Sequence, residues 1–268
     1  MRATTIMGTN RTGISVAPEL SAEMIEGARE FSPTREGDGH EILRVRIAYA
    51  EDAEPIGSVP LPGSLSQLAD TAIKAVQGKS PLTFLDKLGE RLAFERTGVR
   101  LYQGVIAKYD AFGAFHGGPQ REDLEHILAE EFQHFQLLTN AVEQMGGDAT
   151  VVTPSADLHA VMSNGILAAV ADPRVDLLQS LEGALVAELA DNDCWDALIE
   201  LAQQAGEEDL VQRFTRASES EREHLTQVRT WVAAGQGRPT NGAAKRGSQS
   251  GRRARSSGGK RTRHRKAS

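Results

Sequence analysis

The stretch EEFQHFQLL at residues 130–138 decides the fold, because it places charged side chains where a helix needs apolar ones. Apolar residues such as Leu128 and Leu138 recur around it at steps of three and four, the period of one buried helix face. Glu131 and His134 fall on that same face. The stretch therefore predicts an amphipathic helix whose buried face is interrupted near its middle by a carboxylate and an imidazole.

Three other segments show the same period and a similar interruption. A carboxylate that is buried without a partner costs several kcal/mol or becomes protonated, so four that face one another require a cation between them. The first predicted helix runs from about Leu82 to Phe112 and the second from Pro119 to Met145. The third begins at the cap Asp172-Pro173, and the fourth follows Gly206. In chain order, the buried faces of the four helices carry Glu95, Glu131, Glu188 and Glu221.

The connections between these helices predict their topology. The first link, around residues 113–118, and the link around Gly206 are short, so each joins an antiparallel helix hairpin. The longer stretch from Gly146 to Asp172, with a short helix after Ser155, must carry the chain from one hairpin to the other. We therefore expect an all-α domain at residues 81–234, an antiparallel four-helix bundle with one long crossover.

Two of the four carboxylates bring a histidine three residues later, as Glu131-Phe-Gln-His134 and as Glu221-Arg-Glu-His224. Positions i and i+3 of a helix share a face, so both side chains can reach one metal pair. Within each hairpin the single Glu precedes the Glu-x-x-His pair by a similar separation, 36 and 33 residues. This set is the one that di-iron and di-manganese carboxylate bundles use. The pattern predicts six ligands: Glu95, Glu131, His134, Glu188, Glu221 and His224.

The segment from Leu82 to Trp231 resembles the ferritin-like superfamily, which includes ferritins, rubrerythrins and related di-iron oxidases. More closely, the chain is similar to bacterial ferritin-like domain proteins through GTNRTGI (residues 8–14), DKLGERLAFERTG (residues 86–98) and VAELADNDCW (residues 186–195). The resemblance implies the same six ligands, two bound Fe ions with Mn as a substitute, and a ferroxidase or peroxidase-type reaction with O2 or H2O2. We also expect a homo-oligomer.

Rubrerythrin-like members carry a further carboxylate three residues after the third-helix ligand, and Asp191 occupies that place here. Because Asp is shorter than Glu, Asp191 is either a ligand or an acceptor for a histidine ring proton. Core packing is the default explanation of Tyr102, Trp195 and Trp231, and Tyr102 is the best candidate among them for a redox or proton-relay role. Glu182 is an alternative third-helix carboxylate. For His116, His126 and His159 we expect solvated or capping roles.

The single cysteine, Cys194, supplies neither a disulfide nor a rubredoxin-type iron centre, so the electron donor must be external. One cysteine, no apolar leader and no long apolar run lead us to expect a soluble cytoplasmic chain without membrane contact.

Residues 1–80 are expected to form an arm with short helices: at most a short one around Ile42 and Tyr49, and another at Ser64–Gln77. Residues 235–268 are expected to be a disordered basic tail. The net charge is −7, and residues 245–268 carry ten Lys or Arg and no acid, so the first 244 residues carry −17. The tail can contact DNA or RNA through phosphates, or merely solubilise the chain. The alternative function is therefore nucleic-acid association or iron storage, without turnover of an organic substrate.

Overall fold

The computed structural model describes residues 13–60 and 81–238, and every regular element within these ranges is an α-helix. The all-α class predicted from the sequence is confirmed for this part of the chain. None of the described helices has both the length and the apolar content needed to cross a bilayer. The helices are α1 (Pro18–Glu30), α2 (Gly39–Asp52), α3 (Pro81–Phe112), α4 (Arg121–Gln144), α5 (Pro154–Ala171), α6 (Leu177–Ala205) and α7 (Glu208–Gly235).

The four long helices form two closely packed pairs, α3 with α4 and α6 with α7, and a short loop joins the members of each pair. Further contacts join α3 to α6 and α4 to α7. The loop after α6 turns at Gly206, whose φ of 76° lies in the left-handed region that glycine adopts without steric cost. The bounds of α3 and α4 lie within two residues of the predicted ones.

The third long helix begins later than predicted. The Asp172 carboxylate accepts a hydrogen bond from the backbone N–H of Arg174 at 2.9 Å, so Asp172-Pro173 forms a turn after α5 rather than a helix cap. The true cap is Asp176, whose side chain accepts from the Gln179 N–H at 2.9 Å, while the Gln179 side chain accepts from the Asp176 N–H at 3.1 Å. This reciprocal capping box starts α6 directly after Asp176.

The connection between the two pairs contains α5, a helix of 18 residues where the sequence predicts only a short one. α5 lies against α3 and α6. Its apolar residues do not form a single stripe, because Val161 and Met162 are 71% and 61% exposed, and this spread hides the helical period. The helix packs closely on α3: a Cβ added at Gly89 would lie 2.5 Å from the Thr153 methyl carbon.

The sequence did not predict α1, and α2 is longer than the short helix predicted around Ile42 and Tyr49. α1 and α2 contain 13 and 14 residues, and none of these residues is buried. The short helix predicted at Ser64–Gln77 and the basic segment at residues 245–268 lie outside the described residues. α7 continues to Gly235, the residue at which the sequence predicts the tail to begin.

Two apolar clusters build the core of the four long helices. Along α3 and α7 the second cluster comes before the first, whereas along α4 and α6 the first comes before the second. Each packed pair is therefore antiparallel, and the middle of every long helix lies between the clusters. The first apolar cluster includes Phe94, Leu101, Val105, Leu124, Ile127, Leu181, Val228 and Trp231, and the second includes Phe84, Leu88, Leu138, Leu198, Leu210 and Phe214.

Two glycines that face Val170 of α5 test the close approach of the helices. A Cβ added at Gly104 of α3 would lie 2.7 Å from Val170 Cγ1, whereas one added at Gly183 of α6 would make ordinary contact with Val170 at 3.7 Å. Both substitutions to Ala gain the same helix propensity, but only Gly104→Ala overpacks the core. In urea unfolding, Gly104→Ala should be less stable than Gly183→Ala by about 1–3 kcal/mol. Equal stabilities would contradict this packing.

Candidate metal centre

A layer of buried polar side chains lies between the two apolar clusters, at the middle of all four long helices. Every residue that the sequence predicts as a metal ligand belongs to this layer, and each is at most 6% exposed. The layer therefore unites residues that are up to 129 positions apart in the chain, from Glu95 to His224. Its predicted members are Glu95, Glu131, His134, Glu188, Asp191, Glu221 and His224.

The ligand atoms of this layer form two groups, within each of which all atoms lie within 4.8 Å of one another. Glu221 belongs to both groups. A carboxylate has two oxygens, so Glu221 can contribute to two neighbouring cation positions at once. The first group is Glu131, Glu188, Glu221 and His224, and the second is Glu95, His134 and Glu221.

The imidazole of His224 is held by Glu130, a residue that the sequence analysis missed. His224 Nε2 lies 2.8 Å from Glu130 Oε2, while Nδ1 faces Glu221 Oε2 at 3.1 Å and Glu131 Oε1 at 3.8 Å. If Nε2 carries the proton and donates it to Glu130, the lone pair of Nδ1 points at the carboxylates. This tautomer is the one that a metal-binding histidine needs.

His134 presents the same ring atom to the other group. Its Nδ1 lies 2.6 Å from Glu221 Oε1 and 3.8 Å from Glu95 Oε2. The Trp195 ring meets the His134 ring edge-on at a centroid distance of 5.6 Å and limits its rotation. The two histidines therefore approach Glu221 with equivalent nitrogens from two different helices.

Several ligand atoms in this layer are buried and have no hydrogen-bond partner. They are Glu95 Oε2, His134 Nδ1, Glu188 Oε2 and Glu221 Oε1, of which His134 Nδ1 and Glu221 Oε1 face each other at 2.6 Å without hydrogen-bond geometry. A buried polar atom without a partner costs about 1–3 kcal/mol, and all four are typical metal-ligand atoms. The residues present thus fit a pair of divalent cations, which would supply the missing partners.

Gly98 of α3 makes room for Glu131. A Cβ at position 98 would lie only 2.0 Å from Glu131 Oε2, so no other residue leaves this carboxylate in place. A glycine inside a helix costs about 1 kcal/mol relative to alanine. Its position in a long predicted helix is thus a sequence signal that a neighbouring group approaches the backbone here.

Arg91 is a second residue that the sequence analysis missed. Its side chain is 2% exposed, and its Nη2 donates to Glu95 Oε1 and to Asp191 Oδ1. Arg91 and Glu95 are four residues apart on α3, the spacing of facing helix neighbours, so the sequence did contain a signal. Asp191 belongs to the layer but to neither ligand group, and its role as a ligand stays a prediction.

The aromatic residues predicted near the ligands occupy different places. The Tyr102 hydroxyl donates to Glu188 Oε1, and Trp195 Nε1 donates to Glu95 Oε1 at 3.1 Å. Both therefore contact predicted ligands directly. Trp231, 7% exposed, packs in the first apolar cluster and is a core residue.

The remaining candidates lie outside this layer. Glu182 accepts a hydrogen bond from Gln236 at 2.6 Å on the surface, and the His126 side chain is 68% exposed, as expected for a solvated residue. The expectation for His159 was wrong: its side chain is buried, with Nδ1 at 3.5 Å from Glu90 Oε1. Phe94 packs edge-on against the His159 ring at 4.7 Å, which fixes α5 to α3. His116 lies in the loop between α3 and α4.

Burial shifts the pKa values of the ligand groups towards their neutral forms. Burial, reinforced by the Asp191 carboxylate, raises the pKa of Glu95 to about 8, and burial with neighbouring carboxylates raises those of Glu131 and Glu221 well above their usual range. Burial also lowers the pKa of His134 to about 4. Without cations the layer must hold protons, which bound metals would replace.

Comparisons with known proteins add no family: no protein-family model matches the chain, and no curated protein or solved structure is significantly similar to it. The ferritin-like resemblance therefore stays a prediction.

The stability of the metal-free protein should fall as pH rises from 6.5 to about 8. The raised carboxyl pKa values mean that the folded state binds more protons than the unfolded state, so their stabilisation is lost as pH rises through the folded values. The lowered histidine pKa acts in the opposite sense, but only as pH falls from 6.5 to about 4. The loss is up to about 1.4 kcal/mol per pH unit for each retained proton.

Urea unfolding of chelator-treated protein measures this dependence. Glu221→Gln should weaken it, because the amide cannot ionise. A metal-free stability that is flat or rises over this pH range would contradict the assignment of protonated buried carboxyl groups.

Proposed function

We propose that the chain is a ferritin-like di-metal protein that binds two Fe ions and reacts with O2 or H2O2, as a ferroxidase or peroxidase. The observation that carries the proposal is the pair of ligand groups that share Glu221, in a layer where four ligand atoms are buried and unpaired. Surface carboxylates satisfy their charge with water, whereas these cannot.

The arrangement of the helices supports the ferritin-like assignment. α3 and α4 are antiparallel, as are α6 and α7, and α5 lies in the connection between the pairs. An antiparallel four-helix bundle with one long crossover has this order, and di-iron carboxylate sites form in the core of such bundles. The ligands here come from all four long helices, as that architecture requires.

The donor set favours a hard or borderline divalent ion. It consists of carboxylate oxygens and two imidazole nitrogens, and the single cysteine is in neither ligand group. Carboxylate suits Mn and imidazole suits Fe, so both ions are compatible, and we propose iron on the ferritin-like resemblance. Glu221, His134 and His224 would be among the residues that hold the ions.

The chemistry that such a pair supplies is the transfer of two electrons to H2O2, which takes up two protons and gives two water molecules. Tyr102 is placed to deliver a proton, because its hydroxyl already donates to the ligand Glu188. Burial, together with the nearby Glu188 carboxylate, raises the pKa of Tyr102 well above its usual range, so the phenol still holds this proton at neutral pH. Glu130 orients His224, and an external donor would return the electrons.

Nucleic-acid association or iron storage remains the alternative function. It depends on residues 245–268, which lie outside the described part of the chain, and none of the described contacts favours it.

Anaerobic titration of the chelator-treated chain with Fe(II) tests the proposal. We expect two Fe(II) per chain, and consumption of O2 or H2O2 by the loaded protein. Glu221→Gln should weaken binding of both ions by more than about 100-fold, because loss of an outer partner alone costs 10–100-fold. Glu223→Gln is the matched control: it lies two residues away on the exposed face of α7 and should bind as the wild type does.

Tyr102→Phe separates binding from turnover in the same experiment. The variant should keep two Fe(II) per chain and consume H2O2 more slowly, since only the proton donor is lost. Absence of stoichiometric Fe(II) binding by the wild type, or equal effects of the Glu221 and Glu223 substitutions, would refute the proposed function.

A further inference from the structure

The polar layer contains a permanent cation, Arg91, in addition to its predicted ligands. The guanidinium lies between Glu95 and Asp191, with its carbon 4.6 Å from the Phe94 ring centroid and 5.3 Å from that of Trp195. Two hydrogen bonds from Nη2 and two aromatic rings thus hold it, and its side chain is 2% exposed. Arg91 is therefore a fixed part of the layer and cannot move into solvent without unpacking the core.

The charges of the layer balance two divalent cations when Arg91 is included. Five carboxylates, those of Glu95, Glu131, Glu188, Asp191 and Glu221, are at most 4% exposed. Metal binding requires the four ligand carboxylates to be ionised, and the ion pair with Arg91 requires Asp191 to be ionised, which gives five negative charges. Arg91 reduces this to four, the charge of two divalent ions. Glu130 is not counted, because its side chain is 25% exposed and water can hydrate its charge.

The geometry of Asp191 shows which carboxylate belongs to the guanidinium. Asp191 Oδ1 accepts from Arg91, and although Asp191 Oδ2 is buried without a hydrogen-bond partner, the residue takes part in neither ligand group. Glu95 differs from it, because Glu95 Oε1 contacts Arg91 and Trp195 while Oε2 faces His134 at 3.8 Å. Glu95 can therefore serve the arginine and a metal together, whereas Asp191 serves the arginine.

We propose that Arg91 is a built-in third cation, with Asp191 as its counter-ion, and that this neutral pair leaves the layer four carboxylates, whose charge balances two divalent ions. Asp191 is then a positioning residue and not a metal ligand. This inference rests on the proposed function, since it concerns how the same site reaches its metal content. Removing one member of a buried ion pair leaves an uncompensated charge, whereas replacing both by neutral groups of similar size does not.

A double-substitution cycle with Mn(II) as the probe tests the pair. The chelator-treated full chain is titrated by calorimetry as the wild type, Asp191→Asn, Arg91→Met and the double variant, and the urea unfolding midpoint of each is measured without metal. Arg91→Met should lower the midpoint, and adding Asp191→Asn should restore most of it. The wild type and the double variant carry the same net charge, so both should bind two Mn(II) with affinities within about tenfold.

A fall of about 100-fold or more in Mn(II) affinity on Asp191→Asn, in both Arg91 backgrounds, would identify Asp191 as a ligand and overturn the inference. If Arg91→Met variants do not fold, the stoichiometry of Asp191→Asn alone decides: two Mn(II), bound more weakly because Arg91 has lost its counter-ion, support the pair, and loss of one metal overturns it. Asp193→Asn, two positions away and exposed, is the control. Failure of the wild type to bind Mn(II) and Fe(II) would instead refute the proposed function.

Discussion

Burial of five carboxylates in one layer is the constraint on which the rest of this structure depends. Such groups repel one another and lose their hydration, so they become protonated or require cations. Arg91 supplies one positive charge. The raised pKa values of Glu95 and Glu131 reflect burial and the negative charge that Arg91 leaves uncompensated. A fold that contains this layer must gain its free energy of folding from other contacts, and the two apolar clusters on either side of the layer supply them.

Several local features exist only to accommodate this layer. Gly98 gives up helix propensity so that Glu131 can lie against the backbone of α3. Tyr102 and Trp195 have buried rings, and their polar groups donate hydrogen bonds to Glu188 and Glu95, respectively. A glycine inside a helix and buried polar groups do not stabilise ordinary helix packing. The buried carboxylates explain why these residues are present. The polar layer thus costs stability, and its neighbours are arranged to accommodate it.

The sequence predicts the layer well because helical period alone fixes which residues face the core. Glu131 and His134 share one face by spacing, and their burial with Glu221 follows from it. The period cannot locate Arg91, since a long flexible side chain on the flank of a helix face can reach inward or outward. It also fails for α5, where the apolar residues Val161 and Met162 face outward and blur the stripe.

The most direct test of the central claim, that this layer holds two divalent ions, is X-ray absorption at the iron edge of the anaerobically Fe(II)-loaded chain. We expect an iron–iron distance of about 3.5–4 Å, with nitrogen and oxygen neighbours and no sulfur. The absence of iron–iron scattering, or an unchanged spectrum in Glu221→Gln, would contradict it.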